Sequence, residues 1–355
     1  MGLPGSGITA MKDGNSMASP YLQDILAQPE ALQRTLDGLK ATKPLPYFLS
    51  TGKIRRVVLT GMGSSFHALH LLHMRLVERD LSTYMIETSE LIHYGRALID
   101  PHSLIVAVSQ SGKSAEIERL LELARLKSTI IGVTNTPDSP LAEQAAAVVL
   151  TWAGAEFSVS CKTYLATLAA LVWLGDQLSG DPGLVQFPQL AGAPQALSRY
   201  LQYLQDYHSF LIDYLSNIRH LFLVGRGLSL AAAGTGALII KEAAHFHAEG
   251  MSSAAFRHGP LEMVEPGVLV MVYKGAAATG ELNIRLMQDI NTAGGKAELV
   301  LTSDNPGPFY LPNGPEIIRP ILEILPAQQV SLALAAIKGI EAGRFQRGSK
   351  VTVTE

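Results

Sequence analysis

Along this chain the apolar residues fall into short solid blocks, and between the blocks they recur at helical spacing. Arg55–Thr60 (RRVVLT), Ser82–Glu87, Leu104–Val108 (LIVAV), Ser128–Thr134 (STIIGVT) and Ala146–Thr151 are such blocks. Runs of this kind, apolar without polar alternation, are expected of strands covered on both faces of a parallel sheet. Phe66–Glu78, Ala115–Leu126 and Tyr164–Leu178 read as helices, the second with Ile117, Leu120, Leu121 and Ala124 on one face. Strands alternating with helices predict an α/β fold with a doubly wound parallel sheet. A helix over Tyr21–Leu39 precedes the first strand, with a break expected at Pro29.

After a Pro- and Gly-rich connection at 179–194 and a helical stretch to about Ile218, the pattern restarts. His220–Val224 runs into Gly225-Arg226-Gly227-Leu228-Ser229, as Val57–Thr60 runs into Gly61-Met62-Gly63-Ser64-Ser65. Leu104–Val108 is matched by Val268–Val272, which pairs Ser109 with Tyr273, and Val133-Thr134-Asn135 is echoed by Leu301-Thr302-Ser303. The chain is therefore expected to hold two domains of one kind from an internal duplication. The division expected is a leading segment over 1–53, a first domain over 54–195, a second over 196–340, and a tail over 341–355.

The strand at Leu104 ends in Ser109-Gln110-Ser111-Gly112-Lys113-Ser114 and then a helix. Free backbone N–H groups at a helix start, the positive end of its dipole and three hydroxyls make a phosphate site. Ser114 could instead serve only as the helix N-cap. The second copy reads Tyr273-Lys274-Gly275-Ala276, so one phosphate site is expected, in the first domain. The Gly61-x-Gly63 and Gly225-x-Gly227 pairs lack the third glycine of a dinucleotide fingerprint, with Phe66 and Leu230 in its place, so no nicotinamide cofactor is expected.

Composition narrows the class. The chain has 355 residues, 47% hydrophobic and 17% charged, with a net charge of −3, enough for two cores and with no basic run for nucleic acid or an anionic membrane. The apolar run near Leu165–Leu174 falls short of the about 20 residues that cross a bilayer. A single cysteine, Cys161, suits a reducing compartment, and no signal peptide is visible, so a cytoplasmic protein is expected. The first nineteen residues are expected to be loosely ordered. His67, His70 and His73 drift around their helix, so no metal is expected.

A second polar cluster, Lys241–Glu265, carries Lys241, Glu242, His245, His247, Glu249 and then Arg257-His258-Gly259-Pro260. A carboxylate and an imidazole near a sugar phosphate are what proton shuttling beside a carbonyl requires.

These stretches together resemble a known family. Gly61–Ser65, Ser109–Gly112, Glu156 with Lys162-Thr163, Lys241-Glu242, His247–Glu249, His258–Pro260 and Lys350–Glu355 are similar, in order, to the double-SIS (sugar isomerase) chain. The likeness is strongest to the isomerase half of glucosamine-fructose-6-phosphate aminotransferase and to stand-alone aminosugar-phosphate isomerases and deaminases. It implies that Gly63, Ser64, Ser65, Ser109, Gln110, Ser111, Ser114 and Val159 contact a sugar phosphate. It implies Glu242 as the base between C1 and C2, His258 as a ring-opening group reaching in from the partner of a homodimer, and Lys350 as a Schiff-base amine. Thr235 and Ile239 depart from the family pattern, where a glutamate and a lysine are frequent. No glutaminase domain is recognisable before Arg55. The activity implied is isomerisation of an amino-sugar or sugar–amine phosphate with ammonia or amine released or added. A non-catalytic sugar-phosphate sensor is the alternative.

Overall fold

The structure is a computed structural model, and it describes residues 19–46, 48, 52–179 and 185–350. The first half runs α1 (Pro20–Leu26), α2 (Gln28–Ala41), β1 (Arg56–Gly61), α3 (Gly63–Val77), β2 (Thr83–Glu87), α4 (Thr88–His93), β3 (Ser103–Val108), α5 (Ala115–Ala124), β4 (Thr129–Thr134), α6 (Pro140–Gln144), β5 (Ala147–Leu150) and α7 (Lys162–Ser179). The second runs α8 (Ala193–Leu201), α9 (Leu204–Leu215), β6 (His220–Gly225), α10 (Leu230–Ala244), β7 (Ala248–Ser252), α11 (Ser253–Arg257), β8 (Val268–Tyr273), α12 (Ala277–Thr292), β9 (Lys296–Thr302), β10 (Tyr310–Leu311), α13 (Arg319–Leu322) and α14 (Leu325–Ile337). The break in the leading helix falls at Ala27. Pro29 sits in the first turn of α2, where its missing N–H has no partner to lose.

The two sheets are parallel throughout and share one topology. The first has the order β2-β1-β3-β4-β5; the second, read from its other edge, is β7-β6-β8-β9-β10. In each, the direction of winding reverses between the first and third strands, and the loops leaving those two strands border one crevice.

Strand register corrects the alignment of the copies by one residue. Leu104 pairs with Val57, whereas Leu269 pairs with Leu221, so Ser109 corresponds to Lys274 and Val108 to Tyr273. The N–H of Ser109 donates to the Val133 carbonyl at 3.0 Å, and that of Lys274 to the Val300 carbonyl at 2.9 Å. Val133 is thus the counterpart of Val300, again one position from the sequence reading. Strands buried on both faces carry no polar landmark, so matching them by sequence leaves a one-residue ambiguity that only hydrogen bonding removes.

β7 was not foreseen. The polar segment after α10 carries no strand pattern, yet Ala248–Ser252 pairs with β6 as β2 pairs with β1. Gly250 is needed there for close approach: a Cβ would lie 2.3 Å from the Ala233 carbonyl oxygen.

One face of each sheet joins a single core, built with α3, α7, α10 and α14, that runs through both halves. The opposite faces carry smaller separate cores, around Ile105 and Leu120 in one half and Phe222 and Phe256 in the other. α3 meets α10 directly, where a Cβ on Gly234 would sit 2.3 Å from Nδ1 of His67. The apolar faces of α7 and α10 are covered inside the chain by α2, α3 and α14. The stretch Glu316–Ile337 is long and apolar enough by composition to cross a membrane, yet 89% of its most apolar window is buried in this core.

Candidate active site

A cleft of about 340 Å³ opens at the reversal point of the first sheet. Its floor is made by the two loops that the winding brings together. Gly63, Ser64 and Ser65 begin α3, which starts three residues earlier than its apolar pattern suggested, and Gly63 takes a φ of 53°. Ser109, Gln110, Ser111 and Ser114 lead into α5 and face the same space. Gly112 allows this loop its turn, with a φ of 63° and a Cβ position only 2.2 Å from Oγ of Ser139. Ser109 Oγ accepts from the N–H of Gly112 at 3.1 Å, and the Gln110 carbonyl accepts from the N–H of Asn135 at 3.1 Å, so the loop is pinned from behind. Ser114 occupies the N-cap position of α5 but makes no side-chain cap hydrogen bond, which leaves its hydroxyl facing the cleft. Lys113 is exposed and does not line it.

The second copy is closed. Ser229, at the place that Ser65 holds in the first, is fully buried and donates from Oγ to Glu323 at 2.8 Å. Its loop, Lys274-Gly275-Ala276, has no hydroxyl at all once the register is set by the hydrogen bonds.

Opposite the serines stand Glu242, Glu156 and Lys350. Glu242 lies in the last turn of α10, which stops at His245 in a left-handed conformation, φ 48°, whose carbonyl is held by the Lys338 ammonium at 2.6 Å. Burial pushes the Glu242 carboxyl up to about 7, against the pull of Lys350 and Lys241 and with a push from Glu156. A carboxyl poised near neutrality can take a proton from carbon and return it.

Glu156 was noted in the sequence only as part of a family motif. It caps the start of α7: Oε1 accepts from the N–H groups of Cys161 and Thr163, each at 3.0 Å, and Oε2 from the Thr163 hydroxyl at 2.6 Å. Lys350 completes it, with Nζ 2.8 Å from Oε2 and 2.6 Å from the Ser158 carbonyl. The ammonium is thus an anchor already engaged, not an amine waiting on a loose tail; the rest of the tail motif, 351–355, lies outside the described residues. Lys162 does not pair with Glu156; it pairs with Asp24 at 2.6 Å. Among the described residues Asp24, Glu156 and Cys161 bring metal-ligating atoms within 4.8 Å of one another, but both carboxylates are answered by lysines.

Two expected residues stand apart. Val159 is buried in the core between Ser158 and Ser160, and those neighbours, not its side chain, line the cleft. His258 ends α11 on the second sheet, exposed and away from this chain's own cleft. Thr235 and Ile239 are buried and do not line it either. Thr88 and Glu116, unforeseen, do.

Family comparison agrees with this architecture. The SIS domain model matches residues 52–175 and again 214–338, one match per sheet. The chain belongs to the SIS domain family. A glutamine–fructose-6-phosphate aminotransferase (isomerizing) of Pyrococcus horikoshii is 30% identical over 350 residues, covering 94% of this SIS chain and 57% of that protein. The chain therefore spans under three-fifths of that relative. Among solved structures, the C-terminal domain of glucosamine-fructose-6-phosphate aminotransferase from Francisella tularensis superposes with a TM-score of 0.80 at 23% identity, over 94% of this chain and all of that one. Glucosamine-6-phosphate deaminase from Thermotoga maritima gives 0.74 at 20% identity, over 95% of this chain and all of that one. At these identities the structures show the shared fold.

Proposed function

We propose that this SIS chain is a phosphosugar isomerase acting on an amino-sugar or sugar–amine 6-phosphate, with ammonia or amine released or added. One observation carries the reading: a hydroxyl-rich anion loop and a carboxyl near neutrality, Glu242, face each other across one cleft. The phosphate would sit on the N–H groups and hydroxyls of Ser109–Ser114, with Ser64 and Ser65 on the opposite lip. Glu242 would remove the proton from the carbon beside the carbonyl and deliver it to the neighbouring carbon. Lys350, if it leaves Glu156 and passes on a proton, would condense with a ketose carbonyl and release water. His258, exposed on its own chain, would serve the cleft of a second copy, which makes the working unit a homodimer. The relatives' names support the phosphosugar class, and the amino-sugar substrate and the release of ammonia are this proposal's own additions.

The test is turnover. Purified protein is incubated with hexosamine 6-phosphates and fructosamine 6-phosphates while ammonia and ketose phosphate are assayed, and sodium borohydride is added to trap an adduct. Ammonia with ketose phosphate, and an adduct on Lys350, are expected. An adduct on another lysine would remove Lys350 from the mechanism. The engaged state of the Lys350 ammonium favours a second reading, a sugar-phosphate sensor. Binding of these sugars without turnover of any of them is the result that would establish it.

A further inference from the structure

Glu116 is a buried acid that nothing in the reaction above uses. It lies in the first turn of α5, directly after the phosphate loop, and lines the cleft beside Thr88 and Ile117. The residue is only 6% exposed, and no donor among the described residues reaches its carboxylate; Oε2 is shut off from solvent, so Oε1 is the oxygen a ligand in the cleft would meet. A carboxylate this buried with no protein donor is costly, and a donor arriving at its cleft-facing oxygen would offset that cost. The neighbouring acid shows the contrast. Glu156 receives two backbone N–H groups, a hydroxyl and an ammonium, and has no capacity left for a ligand.

The charges in the cleft sharpen the point. Among the described residues its ionisable side chains are Glu116, Glu156, Glu242 and Lys350, and the one cation of these is already spent on Glu156. A phosphate on this loop would be held by neutral donors, with the Glu116 carboxylate, two residues past Ser114, repelling it. That repulsion is tolerable only if the anion arrives with a donor that the carboxylate can use.

We infer that Glu116 is a substrate-recognition residue, whose carboxylate accepts a hydrogen bond from a sugar hydroxyl close to the phosphate and so separates sugar phosphates from free phosphate. The inference rests on the sugar-phosphate reading above. In the absence of a sugar the same carboxylate works against the anion, so inorganic phosphate should bind the native protein poorly. With a sugar attached, the hydroxyl turns that penalty into a contact.

Calorimetric titration of the full chain with inorganic phosphate, a hexose 6-phosphate and a hexosamine 6-phosphate tests this. Glu116→Gln should weaken both sugar phosphates by about tenfold or more, the scale of a lost hydrogen bond to a charged group. It should leave inorganic phosphate unchanged or bound more tightly, because a like charge has gone. Glu116→Asp, which keeps the charge but withdraws it by one methylene, should weaken the sugar phosphates without tightening inorganic phosphate. Thermal melts of each variant alone separate these effects from loss of fold. Equal weakening of all three ligands, or no change in any, would overturn the assignment and leave Glu116 a helix-start residue. A loss confined to the hexosamine would overturn the hydroxyl as donor. Failure of the native protein to bind either sugar phosphate is a separate result, and it would bring down the functional reading along with this one.

Discussion

At the scale of single residues, the carboxyl of Glu242 sets the behaviour of the site. Its position near 7 comes first from burial, with Lys350 and Lys241 opposing and Glu156 adding to the rise. In its proposed role as the base it must be ionised, so kcat/KM should climb with pH through about 7. Glu242→Gln should abolish turnover while sugar-phosphate affinity stays within a few-fold, which equilibrium binding beside a turnover assay would show. The sign of that limb is specific: a falling limb at 7 would make Glu242 an acid in the rate-limiting step. Lys350→Ala should act differently, removing both the trapped adduct and the partner of Glu156. We expect lost turnover together with a lower melting temperature, checked by calorimetry, because a buried carboxylate then loses its counter-ion. The serines could be read from sequence, since a hydroxyl cluster at a strand-to-helix turn has a physical use that few other patterns share. Glu116 could not be singled out, and Glu156 stood out only as part of the family motif. Acidic residues at helix starts are common, and only burial and hydrogen bonding tell a saturated carboxylate from a vacant one.

At the scale of elements, the serine-rich loop between β3 and α5 depends on one backbone conformation. Gly112→Ala places a Cβ within 2.2 Å of Ser139 Oγ and demands a φ of 63° from an L side chain. The loop should rearrange, with phosphate and sugar-phosphate binding both lost. Far-UV circular dichroism should remain native, because β3 and α5 are held by their own core around Ile105, Ile117 and Leu120. Most strands and helices were legible, as solid apolar blocks and amphipathic stretches have few other folded solutions. The errors have common physical sources. β7 is short, carries Glu249 and Gly250, and sits at a sheet edge, so its residues meet solvent and lack the apolar signature. The one-residue slip between the copies arose in strands covered on both sides, where Leu, Ile and Val exchange freely. The apolar faces of α7 and α10 were visible in sequence, but not whether a second subunit or the same chain covers them.

At the scale of the whole molecule, the duplication has left one copy open and the other sealed, and the seal has its own acid. Glu323 is fully buried, and burial raises its carboxyl to about 7 despite Arg319 and the Ser229 hydroxyl. The folded state therefore holds a proton there that the unfolded chain releases near pH 4.5. The contribution to stability is complete below that value and disappears as pH rises through about 7. Compared with Glu323→Gln, the native protein should lose stability progressively between pH 5 and 8, seen as a falling difference in urea midpoints. A flat difference would mean that Arg319 keeps Glu323 ionised throughout. The open copy is completed from far away. Asp24, before the first sheet, steadies Lys162 at the start of α7, while Phe345, Ser349 and Lys350, beyond the second sheet, close over Ser158 and Glu156. This fixes an order in time during synthesis. A ribosome that has finished the first sheet has made the anion loop, yet Glu156 still lacks its ammonium, and it must translate the entire second half before residue 350 appears. Until then Glu156 stays without the ammonium that answers it, so completion of the cleft waits on the second half of the chain.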